Sequence, residues 1–115
     1  MEGCDLYEKG EFTRAKHSFE AALEYCPTNP QAWFALGNCH DALKSHARAE
    51  VCFRKSLEHS EPDARSNVYF NLGNSLFDQG KLEEAVICYT EVNGQSKAYK
   101  AAQKNMALAK AGLGQ

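Results

Sequence analysis

No apolar run in the chain approaches the ~20 residues that a membrane-crossing helix needs, so membrane insertion is not expected. A surplus of charge is missing too. Thirteen Lys and Arg stand against 15 Asp and Glu, for a formal net charge of -2, which offers no field for nucleic acid or anionic lipid. Prolines number only 3, and the ordinary share of apolar residues argues against a disordered tail. The opening residues, Met1 to Asp5, carry acids and no apolar core, so no secretory signal is expected there. Glycine stands third, which does not fit myristoylation. The 5 cysteines (Cys4, Cys26, Cys39, Cys52 and Cys88) are odd in number and form no Cys-x-x-Cys pair. That argues against a disulfide framework and for a reducing, cytoplasmic setting.

Chemistry-bearing motifs are equally scarce. The sequence holds no phosphate loop, dinucleotide fingerprint or Gly-x-Ser-x-Gly nucleophile turn. Glu83 and Glu84 are adjacent acids, but at a helix start, where the dipole favours them. His17, His40, His46 and His59 are scattered among the cysteines. Cys39 and His40 are neighbours on a helix and point about 100° apart, without the spacing of a zinc set. Cys52 and Cys88 stand at equivalent positions and read as small apolar fillers. Lys97, Lys100 and Lys104 form a one-sided basic stripe that reads as a solvated face. No catalytic residue, metal site or cofactor is expected, and the chain is not read as an enzyme.

What is present is repetition. Leu36-Gly37-Asn38 recurs as Leu72-Gly73-Asn74, with Trp33 and Tyr69 each three residues before. Ala15 and Phe19, Ala49 and Phe53, and Ala85 and Tyr89 repeat an alanine followed four residues later by an aromatic. Gly3, Gly37 and Gly73 each precede that alanine by twelve residues. The alanines lie 34 and then 36 residues apart. At 100° per residue each half of a unit is an amphipathic helix, and facing stripes make a helical hairpin. The glycine lets the backbones approach and the aromatic fills the space beside it. A bulky residue at Gly37 or Gly73 is expected to cost roughly 1–3 kcal/mol by overpacking.

Helices are predicted near 1–9, 11–26, 30–43, 46–59, 62–79, 81–93 and 96–112, with no strand. Pro27-Thr28-Asn29-Pro30 ends one helix and begins the next. Ser60-Glu61-Pro62-Asp63 offers a serine cap, an early proline and an acid, and takes up the two extra residues of its unit. Gly10 and Gly80 mark the tight turns inside a unit, and Lys44-Ser45 takes that role in the middle one. Asn93-Gly94 is read as the end of the sixth helix and Ser96 as the cap of the seventh.

These residues resemble the tetratricopeptide repeat, whose consensus has this order and a 34-residue period. The resemblance covers nearly the whole chain. It implies an all-α fold: a right-handed superhelical stack of antiparallel helix hairpins, about three repeats (1–29, 30–65, 66–95) plus a capping helix 96–112, in a single domain 1–115. The motif departs from consensus at His40 and Leu76, which replace a tyrosine, and in the last helix, with Gln103 and Lys110 at the aromatic sites. A polar outer side there suits a helix that ends a stack. The absent first turn at Met1 leaves both a complete protein and a piece of a longer array open.

The resemblance also implies a function class: a protein-interaction module that holds a peptide or helix of a partner protein in its concave groove. The first helices line that groove with the side their hairpins leave free. By the 100° rule this side carries Phe34 and Asn38, then Asn67, Phe70, Asn71, Asn74 and Phe77, then Lys104 and Asn105. Gln31, Ala35, Tyr7, Glu8 and Leu108 fall on it as well. The phenylalanines are apolar groups on a face the hairpins do not need, and the amides can donate to and accept from a peptide backbone. Charge reversal at Asn71 with truncation of Phe70 is expected to abolish binding and to leave melting nearly unchanged.

Two alternatives remain: a regulatory or targeting domain of a larger protein, and a co-chaperone binding chaperone C-terminal tails. Relatives of the second kind clamp a carboxylate with cations. Here Asn38 and Asn71 fit the asparagine sites, but the cation sites hold Phe34, Ala101 and Asn105. Counted from the first unit, the sites hold Cys4, Ala35, Asn67 and Asn71. The clamp is therefore not expected.

Overall fold

A computed structural model describes residues 2–114 of the chain. Met1 and Gln115, the ends of the expected 1–115 domain, lie outside the described residues, and with Met1 the start of the first expected helix. Among the described residues there are seven α-helices and no strand: α1 (Glu2–Glu8), α2 (Phe12–Tyr25), α3 (Pro30–Ala42), α4 (His46–His59), α5 (Arg65–Asp78), α6 (Leu82–Thr90) and α7 (Tyr99–Leu113). Contacts gather into two compact units, Met1–Ser60 and Glu61–Gln115.

The unit 60 residues long packs α1 on α2, α2 on α3, and α3 on α4. Ala15, Phe19, Ala32, Leu36, Cys39 and Cys52 are buried in its core, and Ala22, Trp33 and Ala35 pack against it. Asn29 caps α3, its Oδ1 accepting from the N–H of Gln31 at 3.0 Å and of Ala32 at 3.2 Å. Pro30 follows at the first helical position, where its missing N–H costs no hydrogen bond. The Trp33 indole donates to the Pro27 carbonyl at 2.7 Å and ties α3 to the turn before it. The Ser56 hydroxyl donates to the Pro30 carbonyl at 2.8 Å, which pins α4 to the start of α3.

The second unit packs α5 on α6 and α6 on α7. Val68, Leu72, Leu76, Ala85, Cys88, Tyr89, Val92, Ala102 and Ala109 are buried there. The small faces of Ala102 and Ala109 let α7 lie close. At its far end a Cβ on Gly112 would stand 2.7 Å from Leu82.

The close approach of paired helices is a glycine set under an aromatic ring. A Cβ built on Gly37 would meet the Phe53 ring at 2.6 Å, one on Gly73 the Tyr89 ring at 2.6 Å, and one on Gly3 the Phe19 ring at 2.7 Å. Side chains do not tolerate such distances. The ring would have to leave a fully packed site, which is the overpacking that costs about 1–3 kcal/mol.

Helix boundaries differ from the sequence expectation in the second unit. Residues 62–79 do not form one helix: Pro62–Ala64 is a 3-10 turn, with Ala64 N–H donating to the Glu61 carbonyl at 3.0 Å, and α5 starts at Arg65. The Ser60 hydroxyl donates back to the Ser56 carbonyl at 2.6 Å, and the residue directly before the 3-10 turn is Glu61, which makes no side-chain cap bond. Helix α6 ends at Thr90 rather than 93, and α7 starts at Tyr99 rather than 96. Here side chains capture the backbone: Asn93 Oδ1 accepts from Gln95 N–H at 2.8 Å and Ser96 Oγ from Ala98 N–H at 3.2 Å. Local bonds of this kind compete with the helix ladder. Helix α7 is also less polar outside than expected of a cap, with Leu108 and Leu113 about half exposed.

The three tight turns share one backbone geometry. Gly10, Lys44 and Gly80 all take positive φ, at 79°, 65° and 78°. Two are glycines, for which this region is free, but Lys44 carries a Cβ into it. That geometry costs an L-residue roughly 1–2 kcal/mol, of which glycine's extra chain entropy returns about half. Lys44→Gly is therefore expected to raise stability by about 0.5–1 kcal/mol. Urea denaturation measures this, and a loss of stability would contradict the assignment of strain.

Candidate functional site

The first unit opens a cleft between α1 and α3. Cys4, Tyr7 and Glu8 project from α1, and Gln31, Phe34, Ala35 and Asn38 from α3. Phe19, held in place by Gly3, closes the floor. The cleft holds about 310 Å³. The structure thus brings Phe34 and Asn38 together with Gln31, Ala35, Tyr7 and Glu8. Phe19 was not anticipated here, although Gly3 placed opposite it in the repeat register was the signal, whereas Cys4 already stood at a groove position in the register counted from the first unit.

Phe34 is not idle in its own hairpin. It is half-buried, with its ring centroid 5.8 Å from that of Phe53. Phe70 repeats the arrangement in the second unit, 6.3 Å from Tyr89. Both rings therefore press on the aromatic that rests on the glycine. This corrects the expectation that the hairpins do not need them, and truncating Phe70 is therefore expected to lower the melting temperature as well. Phe77 is half-buried on the last turn of α5.

The amides of the second unit are tied to one another. Asn74 Oδ1 accepts from the Tyr89 hydroxyl at 2.6 Å and from Asn105 Nδ2 at 3.0 Å. One oxygen thereby joins α5, α6 and α7. Asn74 and Asn105 are in the first place an internal clasp, not a ladder held out to a partner. Burial pushes the Tyr89 phenol up to about 12, against a lowering contribution from Asn105, so it stays a donor. The first two repeats carry Phe19 and Phe53 at this position, and the change to tyrosine was the legible sign of the clasp.

The other expected residues scatter. Asn67 is exposed and lines a polar cleft of about 350 Å³ with Pro62, Asp63, Ser66, Asn93, Gln95, Ser96 and Lys97. Asn71 is half-buried, and Lys104 is exposed. The Ser66 hydroxyl accepts from Asn93 N–H at 3.0 Å, so Asn67 stands over a structural turn.

Cys39, Cys52 and Cys88 are buried free thiols, and burial raises Cys39 to about 11 and Cys52 to about 12, which keeps them unreactive. Among the described residues no group of three His, Cys, Asp or Glu side chains could hold a metal ion, and no helix is long and apolar enough to cross a membrane.

With this geometry in view, comparison places the chain. A tetratricopeptide-repeat model matches residues 1–64 and a second one residues 66–92. The chain belongs to the tetratricopeptide-repeat family. Solved structures of this fold superpose along nearly its whole length. The first tetratricopeptide domain of Spaghetti (RPAP3), bound to an HSP90 peptide, has a TM-score of 0.90 at 20% identity, covering 99% of this chain and 89% of that one. The type III secretion translocator chaperone SycD of Yersinia enterocolitica has a TM-score of 0.87 at 14% identity, covering 98% and 81%. SycD in complex with a peptide of the translocator YopD has a TM-score of 0.78 at 17% identity, covering 93% and 82%. No curated protein matches the chain.

One member of the repeat departs from its consensus in a way that titrates. His40 is buried where the family's tyrosine stands, and burial lowers its pKa below the usual 6.5. Lys16 and Arg48 lower it further, while Glu20 and Asp41 oppose them. The fold favours the neutral ring, and the unfolded chain binds the proton more readily. Stability from this site is complete above pH 6.5 and is lost as pH falls from there through the depressed folded value. His40→Gln is expected to flatten the fall in urea stability between neutral pH and mild acid. Parallel pH profiles for wild type and variant would show that His40 is not its source.

Proposed function

We propose that the chain is a non-catalytic binding module that holds a segment of a partner protein against the exposed sides of its first helices, in a reducing, cytoplasmic setting. The observation that carries this reading is the α1–α3 cleft, which gathers the rings of Tyr7 and Phe34, the amides of Gln31 and Asn38 and the carboxylate of Glu8 on a face the core leaves open. Tetratricopeptide repeats are interaction modules, and two neighbours in fold carry bound peptides: the Spaghetti domain an HSP90 peptide, and SycD a peptide of YopD. In the second unit the exposed Asn67 and Lys104 and the half-buried Asn71 offer a polar surface of their own. Five free cysteines, two of them exposed, support the reducing compartment.

A co-chaperone reading has one specific observation behind it, the HSP90 peptide on the Spaghetti domain. Against it, the positions that should clamp a carboxylate hold Phe34, Ala101 and Asn105, none of which supplies a charge. A titration with a chaperone tail peptide should be flat.

The main reading is tested by quantitative co-purification from lysate. Gln31→Trp obstructs the mouth of the cleft, and Lys104→Glu reverses the charge on α7. Val51→Glu and Ile87→Glu alter exposed side chains of second helices. Proteins captured by the wild type should fall several-fold with the first pair and persist with the second, at unchanged melting. Capture that survives the first pair and fails with the second would overturn the reading.

A further inference from the structure

The two units do not present the same chemistry on their first helices. In the second unit the position pair that could open a cavity is filled by the clasped amides Asn74 and Asn105. In the first unit Cys4 stands where Asn74 stands in its repeat, and Ala35 where Asn105 stands in its own. Both are small and neither brings an amide. The result is the α1–α3 cleft, with walls that are mostly apolar: the Phe34 ring, the Ala35 methyl, the Cys4 thiol and the edge of Phe19. Its volume takes one aliphatic or aromatic side chain and little more.

Charge at this cleft has one sign. Glu8 is the single ionisable acid in the wall, and it forms no ion pair among the described residues. Asp41, whose carboxylate meets the His46 ring at 2.8 Å, lies close enough to add to burial and to Cys39 in holding the Tyr7 phenol above its usual value. No Lys or Arg lines the cleft. Lys16 reaches Cys39 and His40 from α2, and Arg14 is paired with Glu11 at 2.8 Å. Tyr7, packed edge-on against Phe12 at 5.0 Å, is more than a third exposed and offers a ring to a cation beside the Glu8 carboxylate.

From this juxtaposition we infer that the first unit recognises a partner segment in which an apolar side chain stands next to a lysine or arginine. The apolar group fills the space between Phe34 and Cys4, and the cation meets Glu8 and Tyr7. This rests on the binding-module reading above and adds its specificity. An acidic tail is the wrong ligand for this end of the chain, since Glu8 would repel it.

The test uses the full chain and two blocked synthetic hexapeptides, one alternating leucine with lysine and one alternating leucine with glutamate. Amide NMR shifts and the rate of Cys4 alkylation by iodoacetamide are followed, with exposed Cys26 as the internal comparison. The leucine–lysine peptide should shift residues 4–8 and 31–38 and slow alkylation of Cys4 several-fold, leaving Cys26 alone. It should be preferred by up to about fivefold, the scale of one exposed ion pair. Glu8→Lys should reverse the preference. Equal response to both peptides, shifts confined to other residues, or a preference untouched by Glu8→Lys would each overturn the inference. If lysate partners depend on Gln31 and Lys104 while neither peptide binds, this specificity alone falls. If those partners are indifferent to both positions, the binding-module reading falls instead.

Discussion

A ring edge resting on a glycine is the contact from which the rest of this structure follows. Gly3 under Phe19, Gly37 under Phe53 and Gly73 under Tyr89 set how close each first helix lies to its second. That distance decides which side chains reach the core and which are left outside. It also decides where Phe34 and Phe70 rest, because each lies against the ring that its own helix's glycine admits. The surface offered to a partner is thus built directly on the packing that holds the hairpin. Changes at these phenylalanines will mix binding with stability, whereas Gln31 and Lys104 report on the surface more cleanly.

The same contact is varied to give the two units different faces. A tyrosine in place of phenylalanine at position 89 adds a hydroxyl, and the hydroxyl recruits Asn74 and through it Asn105. The Asn74 and Asn105 amides are thereby drawn into a three-helix clasp. In the first unit the aromatic is Phe19, the neighbouring positions are Cys4 and Ala35, and a cleft remains. One repeat plan therefore yields a polar, internally bonded surface in one place and an apolar recess with an acidic edge in another.

Much of this was legible in the sequence. The helices, their pairing and the glycine–aromatic contact all follow from a 34-residue spacing and a 100° turn, and Lys44 was correctly placed at a tight turn. What could not be read were effects of single hydrogen bonds. The Ser60 hydroxyl donates backward to Ser56, and Asn93 and Ser96 hold a turn that shortens α6 and delays α7. Residues such as serine and asparagine have several backbone groups within reach, and tertiary packing decides which one wins. The candidate site divides along the same line. Phe34 and Asn38 meet in one cleft because helical phase alone puts them there. Asn74 and Asn105 point to each other because a tyrosine on a third helix completes their bonding, which periodicity does not encode.

The central claim is that partners meet the outer sides of the first helices and leave the second helices alone. Site-specific photo-crosslinking in lysate tests this most directly, with a benzophenone side chain placed in turn at Gln31, Lys104, Val51 and Ile87. Adducts to partner protein from Gln31 and Lys104, and none from Val51 and Ile87, are the predicted result. Adducts from Val51 and Ile87 alone would contradict it.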